Sequence, residues 1–312
     1  MKKYAICQYF NEFRCLNALT KIIIIVSAQK YWKRGSIVKI KKATAMCAVL
    51  SGIMFGGAMT ISTPASASSK DQVTIYLTRH GETTGNVMQR VQGSSDFPLT
   101  KNGIEVANDL GYGLKGIKFK HAYTGNLTRQ EVTAQHVLKY SNNKGTKITT
   151  TPKLREGGYG SFEGDSIAAD NQKIANVYGY QDGKEFQQAT GKDYWNKLQD
   201  AYYKLDSENS QNTNLAKSDR AESAKQVQER MNSELLHIAK TTQKQGGGNV
   251  LVVSSGMSIN EYLSTMTNKY EGKPMQNAAV TKLVYKNGKF KVQGPIGTLH
   301  YVNKGQKIAA DK

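Results

Sequence analysis

Residues 73–83 read VTIYLTRHGET, from Val73 to Thr83. Val73–Thr78 is short, apolar and β-branched, without the 3.6-residue spacing of a helix, and it stops abruptly at the polar Arg79-His80-Gly81-Glu82. A run of that kind predicts a buried strand. Strands buried on both faces belong mostly to parallel sheets covered by helices, where ligands gather beyond the carboxyl ends of the strands. The residues just after Thr78 therefore stand where such a fold places its chemistry.

The rest of the chain repeats the alternation. A helix is predicted over 100–114, with Thr100 as N-cap and Ile104, Ala107, Leu110 and Leu114 on one stripe. A brief strand at His121–Thr124, a helix at Leu127–Tyr140 and a weaker strand at 147–151 come next. Later, 226–241 carries Val227, Met231, Leu235 and Ile238 on one face, and 249–254 (NVLVVS) is the most strand-like run, followed by a helix over 257–267. Val280–Tyr285, Asn287-Gly288 and Phe290–Gln293 form a hairpin pattern. This predicts an α/β fold, a three-layer sandwich with a mainly parallel central sheet flanked by helices. Between Asp165 and Ser218 the texture turns to Gln, Asn, Asp, Lys and Tyr, which predicts a helical cap insertion over 165–218 with helices near 166–178 and 194–205 and a mobile loop at 207–214.

The residues that follow each predicted strand are polar in a consistent way. After the first come Arg79, His80, Asn86, Arg90, Gln92 and Gly93; Arg129 opens a helix after the second; Glu156 follows the third; and Ser255-Gly256 follows the strongest. Two arginines, an imidazole and helix N-termini facing one pocket suit a dianion, and a phosphate monoester fits best. A histidine beside Arg79 is expected to be held neutral and nucleophilic by the positive field. Glu156 suits the acid/base role, with Glu82 and Glu163 as rival carboxylates.

These residues resemble the histidine phosphatase (phosphoglycerate mutase-like) superfamily. The resemblance rests on Arg79-His80-Gly81-Glu82-Thr83 with Asn86, on Gln92-Gly93 and Leu99-Thr100-x-x-Gly103, and on Leu154-x-Glu156-x-x-Tyr159-Gly160-x-Phe162-Glu163-Gly164. Arg220-Ala221-Glu222-Ser223, with Arg230 downstream, adds to it, and the match runs from about Val73 to Tyr301. It implies that His80 becomes phosphorylated, that Arg79 and Arg129 hold the phosphoryl oxygens, that Asn86, Gln92 and Gly93 line the pocket, and that Glu156 is the acid/base, with no cofactor and no metal. One position departs. Where the family has a second catalytic histidine followed by glycine, this chain has Ser255-Gly256, and a neutral hydroxyl is a weaker donor to a transferring phosphoryl group than an imidazolium. A slow or specialised phosphatase is the resulting expectation, with a phosphate-binding pseudoenzyme and a phosphoglycerate mutase as rivals. A serine-hydrolase elbow is excluded, because Val253 and Met257 stand where it needs glycines.

Composition sets the bounds around this reading. The 312 residues carry 38% apolar and 21% charged side chains, which suits a globular chain and excludes a multi-spanning membrane protein. Lys39, Lys41 and Lys42, the apolar stretch 43–61 and Ala65-Ser66-Ala67 have the pattern of a cleavable export signal rather than a membrane anchor, so residues 1–67 are expected to form an N-terminal extension and signal peptide, and 68–312 the functional domain. Residues 1–37 exceed what a signal needs, and Val38 is a candidate start codon. Ten of the 43 Lys/Arg, one of the 24 Asp/Glu and all three cysteines lie in 1–67, which leaves 33 basic against 23 acidic side chains, a net charge near +10, and no cysteine. The expectation is a secreted or envelope-associated protein acting on a small phosphorylated substrate. No basic run or aromatic motif points to nucleic acid, no stable membrane insertion is expected after cleavage, and attraction to anionic envelope polymers is a milder inference.

Overall fold

The computed structural model describes residues 71–209 and 214–311. The predicted signal peptide over 1–67 and residues 210–213 of the predicted loop at 207–214 lie outside them; within that loop, the preceding helix continues to Glu208.

Six strands form one mixed sheet in the order β3-β2-β4-β1-β5-β6. They are β1 (Val73–Arg79), β2 (Phe119–Thr124), β3 (Ile148–Thr150), β4 (Gly248–Ser254), β5 (Val280–Lys286) and β6 (Lys289–Thr298). The first four run parallel, with Arg79 opposite Ser254 in the β1–β4 pairing. β5 and β6 run antiparallel at one side, joined by Asn287 (φ 52°) and Gly288 (φ 76°), whose two positive φ values are what a tight hairpin turn requires.

The side-chain period of two sorts the strands between two cores. Val73, Ile75 and Leu77 of β1 face the same side as Val250 and Val252 of β4. There they meet Val227, Met231, Leu235 and Ile238 from a helix over Ala224–Lys244 and Ile259 and Leu263 from a helix over Gly256–Met266. Tyr76, Leu251 and Val253 face the opposite side, against Leu110, Ala134, Val137 and Val302. Among the described residues the helices, in chain order, are α1 (Thr84–Val87), α2 (Lys101–Gly113), α3 (Thr128–Tyr140), α4 (Ile167–Val177), α5 (Gly183–Thr190), α6 (Tyr194–Glu208), α7 (Ala224–Lys244), α8 (Gly256–Met266) and α9 (His300–Ala310). α2, α3 and α9 cover one face of the sheet and α7 and α8 the other, so three layers result. Thr100 caps α2 as its sequence implies, its Oγ1 accepting from Gly103 N at 2.9 Å.

α4, α5 and α6 lie between β3 and α7 and build a third core, in which Phe162, Ile174, Phe186, Leu198 and Tyr202 pack with Val91 and Tyr159. α5 and α9 are not evident from sequence, because each buries few residues: Phe186 in α5, and Val302 and Gly305 in α9.

α9 docks on α2 through two glycines. A Cβ on Gly305 would lie 1.7 Å from Asp109 O, and one on Gly113 would lie 1.8 Å from Tyr301 O, so the backbones touch. Replacing Gly305 by Ala forces the helices apart and should cost about 1–3 kcal/mol in urea unfolding, whereas Lys304→Ala, on the exposed side of the same helix, should be near neutral.

Candidate active site

The parallel pairing of β1 with β4 sets the site. Arg79 is the last residue of β1, and the ladder continues one residue further, His80 N donating to Ser254 O at 3.0 Å. His80 is thereby fixed between the ends of the two central strands. The residue is 3% exposed. Nδ1 lies 2.7 Å from Gly81 O, and since a carbonyl can only accept, Nδ1 carries the proton and Nε2 keeps its lone pair. Burial, and then the charges of Arg129 and Arg79, push the imidazole well below its ordinary pKa, so it is neutral at physiological pH.

A cavity of about 430 Å³ opens at this end of the sheet. Arg79, His80, Asn86, Gln92, Glu156 and Gly256 line it, all of them expected from sequence. Arg79 Nη1 donates to Met275 O at 2.7 Å, while its buried Nε has no partner. Asn86 Oδ1 accepts from Thr83 N at 3.1 Å and Asn277 Nδ2 at 3.3 Å, and Gln92 Oε1 accepts from Thr83 Oγ1 at 2.7 Å. Gly256 stays side-chain-free beside Arg79, whose Nε would be 3.2 Å from a Cβ there.

Glu156 is held at the N-terminus of α8. Oε1 accepts from Ser258 N at 2.7 Å and Gly157 N at 3.1 Å, and Oε2 from Met257 N at 3.1 Å. Its backbone is pinned by Arg230, which donates to the carbonyls of Lys153, Arg155 and Glu156 and makes a two-pronged pair with Glu222, both contacts 2.8 Å. The rival carboxylates are committed elsewhere. Glu82 accepts from Thr100 Oγ1 at 2.6 Å, and Glu163 takes the backbone N–H groups of Gly93, Ser94, Ser95 and Tyr159.

Three other expected site residues do not reach the cavity wall. Arg129 is fully buried, and its guanidinium donates to the carbonyls of Gln92, Gly93 and Ser95, each at 2.9 Å, with Asp96 at 3.6 Å. It therefore acts on His80 through its charge and by shaping the 92–96 loop, with Nε left unpartnered. Gly93 contributes close packing, since a Cβ there would lie 2.2 Å from Glu163 Oε1. Ser255 is fully buried, its Oγ accepting from Gln130 Nε2 at 2.8 Å. The glutamine also reaches Leu154 O at 3.3 Å, so the position after β4 is tied back into the sheet.

Other lining residues had no signal that singled them out. Met257 and Asn260 come from α8, Met275 and Asn277 from the loop before β5, and Tyr194, Trp195, Leu198 and Tyr202 from α6. Asn260 follows Gly256 at the i+4 spacing of a helix and could have been read from it. The aromatic residues read only as cap core, which Tyr202 also is.

A family model described as the histidine phosphatase superfamily (branch 1) matches residues 75–216 and 184–295. A curated relative named "Probable phosphoglycerate mutase GpmB", from Proteus mirabilis (strain HI4320), is 36% identical over 97 residues, 31% of this chain and 44% of that protein. A second of the same name, from Salmonella choleraesuis (strain SC-B67), is 34% identical over 115 residues, 35% of this chain and 52% of that protein. The chain thus spans about half the length of the curated relatives it matches. Among solved structures, a phosphoglycerate mutase from Bacillus anthracis str. Sterne is 34% identical, with a TM-score of 0.68 over 76% of this chain and 99% of that one.

The depressed basicity of His80 has a measurable consequence. Below pH 6.5 the unfolded chain's imidazole takes up a proton that the folded one refuses, so stability falls as pH drops from 6.5 toward the folded value. Between pH 6.5 and 5.5 the wild type should lose about 1 kcal/mol more than His80→Asn in urea unfolding, and equal losses in both proteins would contradict the buried neutral ring.

Proposed function

We propose that this chain, which belongs to the histidine phosphatase superfamily, is an exported phosphomonoesterase that works through a phosphohistidine on His80. The observation that carries this reading is the Nδ1–H bond to Gly81, which leaves Nε2 as a neutral nucleophile on the wall of a cavity beside Arg79. The unpartnered Nε–H of Arg79 supports an anion as the missing acceptor.

In the first half-reaction Nε2 attacks phosphorus and the ester P–O bond breaks. The carboxyl of Glu156 gives its proton to the departing alkoxide. In the second, water attacks the phosphohistidine, Glu156 takes the water's proton, and phosphate leaves with the imidazole restored. Arg79 and the dipole of α8 face the charge that develops on the phosphoryl oxygens. The second imidazolium of the family is replaced here by Ser255, turned into the sheet by Gln130, and loss of one preorganised donor of this kind costs about 10²–10³ in turnover. Slow hydrolysis is the reading that follows.

The family includes mutases, and relatives carry that name. A mutase must also grip a second anionic group, and beyond Arg79 the cavity lining holds one other cation, the exposed Arg90, which favours hydrolysis. Export is supported by the Lys-rich leader, the apolar stretch and Ala65-Ser66-Ala67, together with the absence of cysteine after residue 67.

Hydrolysis of p-nitrophenyl phosphate tests the enzymatic reading. Wild type should turn over slowly, His80→Ala should be inactive, and Ser255→His should gain about ten-fold or more. Phosphate binding without turnover in any of the three would identify a binding protein instead.

A further inference from the structure

We propose that the distal half of the cavity selects phosphomonoesters of an uncharged alcohol with a flat apolar face and a single polar group, which is met by Asn260. The inference rests on the reading that phosphoryl transfer occurs at His80, because this assigns Arg79 and His80 to one end of the cavity and leaves the other end to the leaving group.

The far wall comes from the helical cap. Tyr194, Trp195 and Leu198 of α6 and Ile167 of α4 all line the cavity. Trp195 is held in place: its Nε1 donates to Gly272 O at 2.9 Å, and its ring meets that of Tyr194 at 4.9 Å with an interplanar angle of 75°. A fixed aromatic plane of this sort offers a large contact area at little entropic cost. Ile167, 38% exposed, carries this apolar wall out to the surface.

Asn260 is a buried polar residue of this lining. It lines the cavity from α8, one turn beyond Gly256, is 1% exposed, and its Oδ1 has no hydrogen-bond partner. A buried carbonyl oxygen without a partner is costly, and a hydroxyl or amino group on the bound alcohol would satisfy it.

Charge settles the remainder. A carboxylate entering the distal half would lose its water without gaining a buried cation. Arg79 is engaged with Met275 O at the phosphoryl end, and Arg90 is exposed at the mouth, its Nη1 3.5 Å from Gly164 O. Anionic leaving groups are therefore disfavoured and apolar-faced neutral ones favoured.

The test is kcat/KM of the full chain for 1-naphthyl phosphate, the monophosphates of isomeric naphthalenediols, glycerol 3-phosphate and 3-phosphoglycerate. The naphthyl ester should exceed 3-phosphoglycerate by roughly 10–100-fold, and at least one diol ester should exceed the plain naphthyl ester. Asn260→Leu should abolish that second advantage. Trp195→Leu should shrink the first, and Asn171→Arg, a substitution on an exposed lining position of α4, should shift the ratio several-fold toward 3-phosphoglycerate. Equal or better use of 3-phosphoglycerate by wild type, or a ratio unmoved by Asn171→Arg, would overturn the proposal. The same esters ranked by calorimetric affinity for the His80→Ala protein give a second readout, so that selectivity is decided even where hydrolysis fails. Absence of hydrolysis would count against the catalytic reading, and a reversed order of affinity against this one.

Discussion

One hydrogen bond, from His80 Nδ1 to the carbonyl of Gly81, 2.7 Å long, constrains everything the pocket can do. It fixes the tautomer and turns the remaining nitrogen toward the cavity. The positive charges around it then serve two ends. Arg79 and Arg129, together with burial, keep a proton off the imidazole, and the same field favours an entering dianion. An imidazole in water would be partly protonated near neutrality; here the folded chain prevents that before any ligand arrives.

The bond would be worth little if the ring were not held, and the sheet holds it. His80 N extends the β1–β4 ladder to Ser254 O, so two central strands, buried on both faces, carry the imidazole. The supporting side chains are fixed in the same manner, largely by backbone groups. Glu156 takes three N–H groups, two of them from the first turn of α8, Arg230 grips the carbonyls before and at Glu156, and Arg129 gathers those of the 92–95 loop. Ser255 is the contrasting case. A small side chain after β4 is buried against Gln130, so in the proposed mechanism the transferring group depends more heavily on Arg79.

Much of this was legible in the sequence because the decisive residues lie at strand ends. Val73–Thr78 and Asn249–Ser254 are largely apolar since both faces are covered, and the residues two positions beyond them, His80 and Gly256, fall at the cavity. α2, α3 and α7 show their buried stripes plainly. The chain hides what depends on contacts distant in sequence. α9 docks through glycines, which leave no hydrophobic signature, and α5 buries a single phenylalanine. Gln130, 125 residues from Ser255, carries no local mark of its role. The sequence pattern puts Arg129 at a helix start facing an anion, whereas the structure turns its donors onto loop carbonyls, a choice made by tertiary packing and not by spacing.

The most direct measurement is rapid-quench mass spectrometry of active wild-type protein mixed with p-nitrophenyl phosphate. The account predicts an acid-labile phosphoryl group on the His80 ring, formed within the first turnover and absent from His80→Ala. Steady hydrolysis with no adduct on His80, under conditions in which a control phosphohistidine survives the quench, would contradict it.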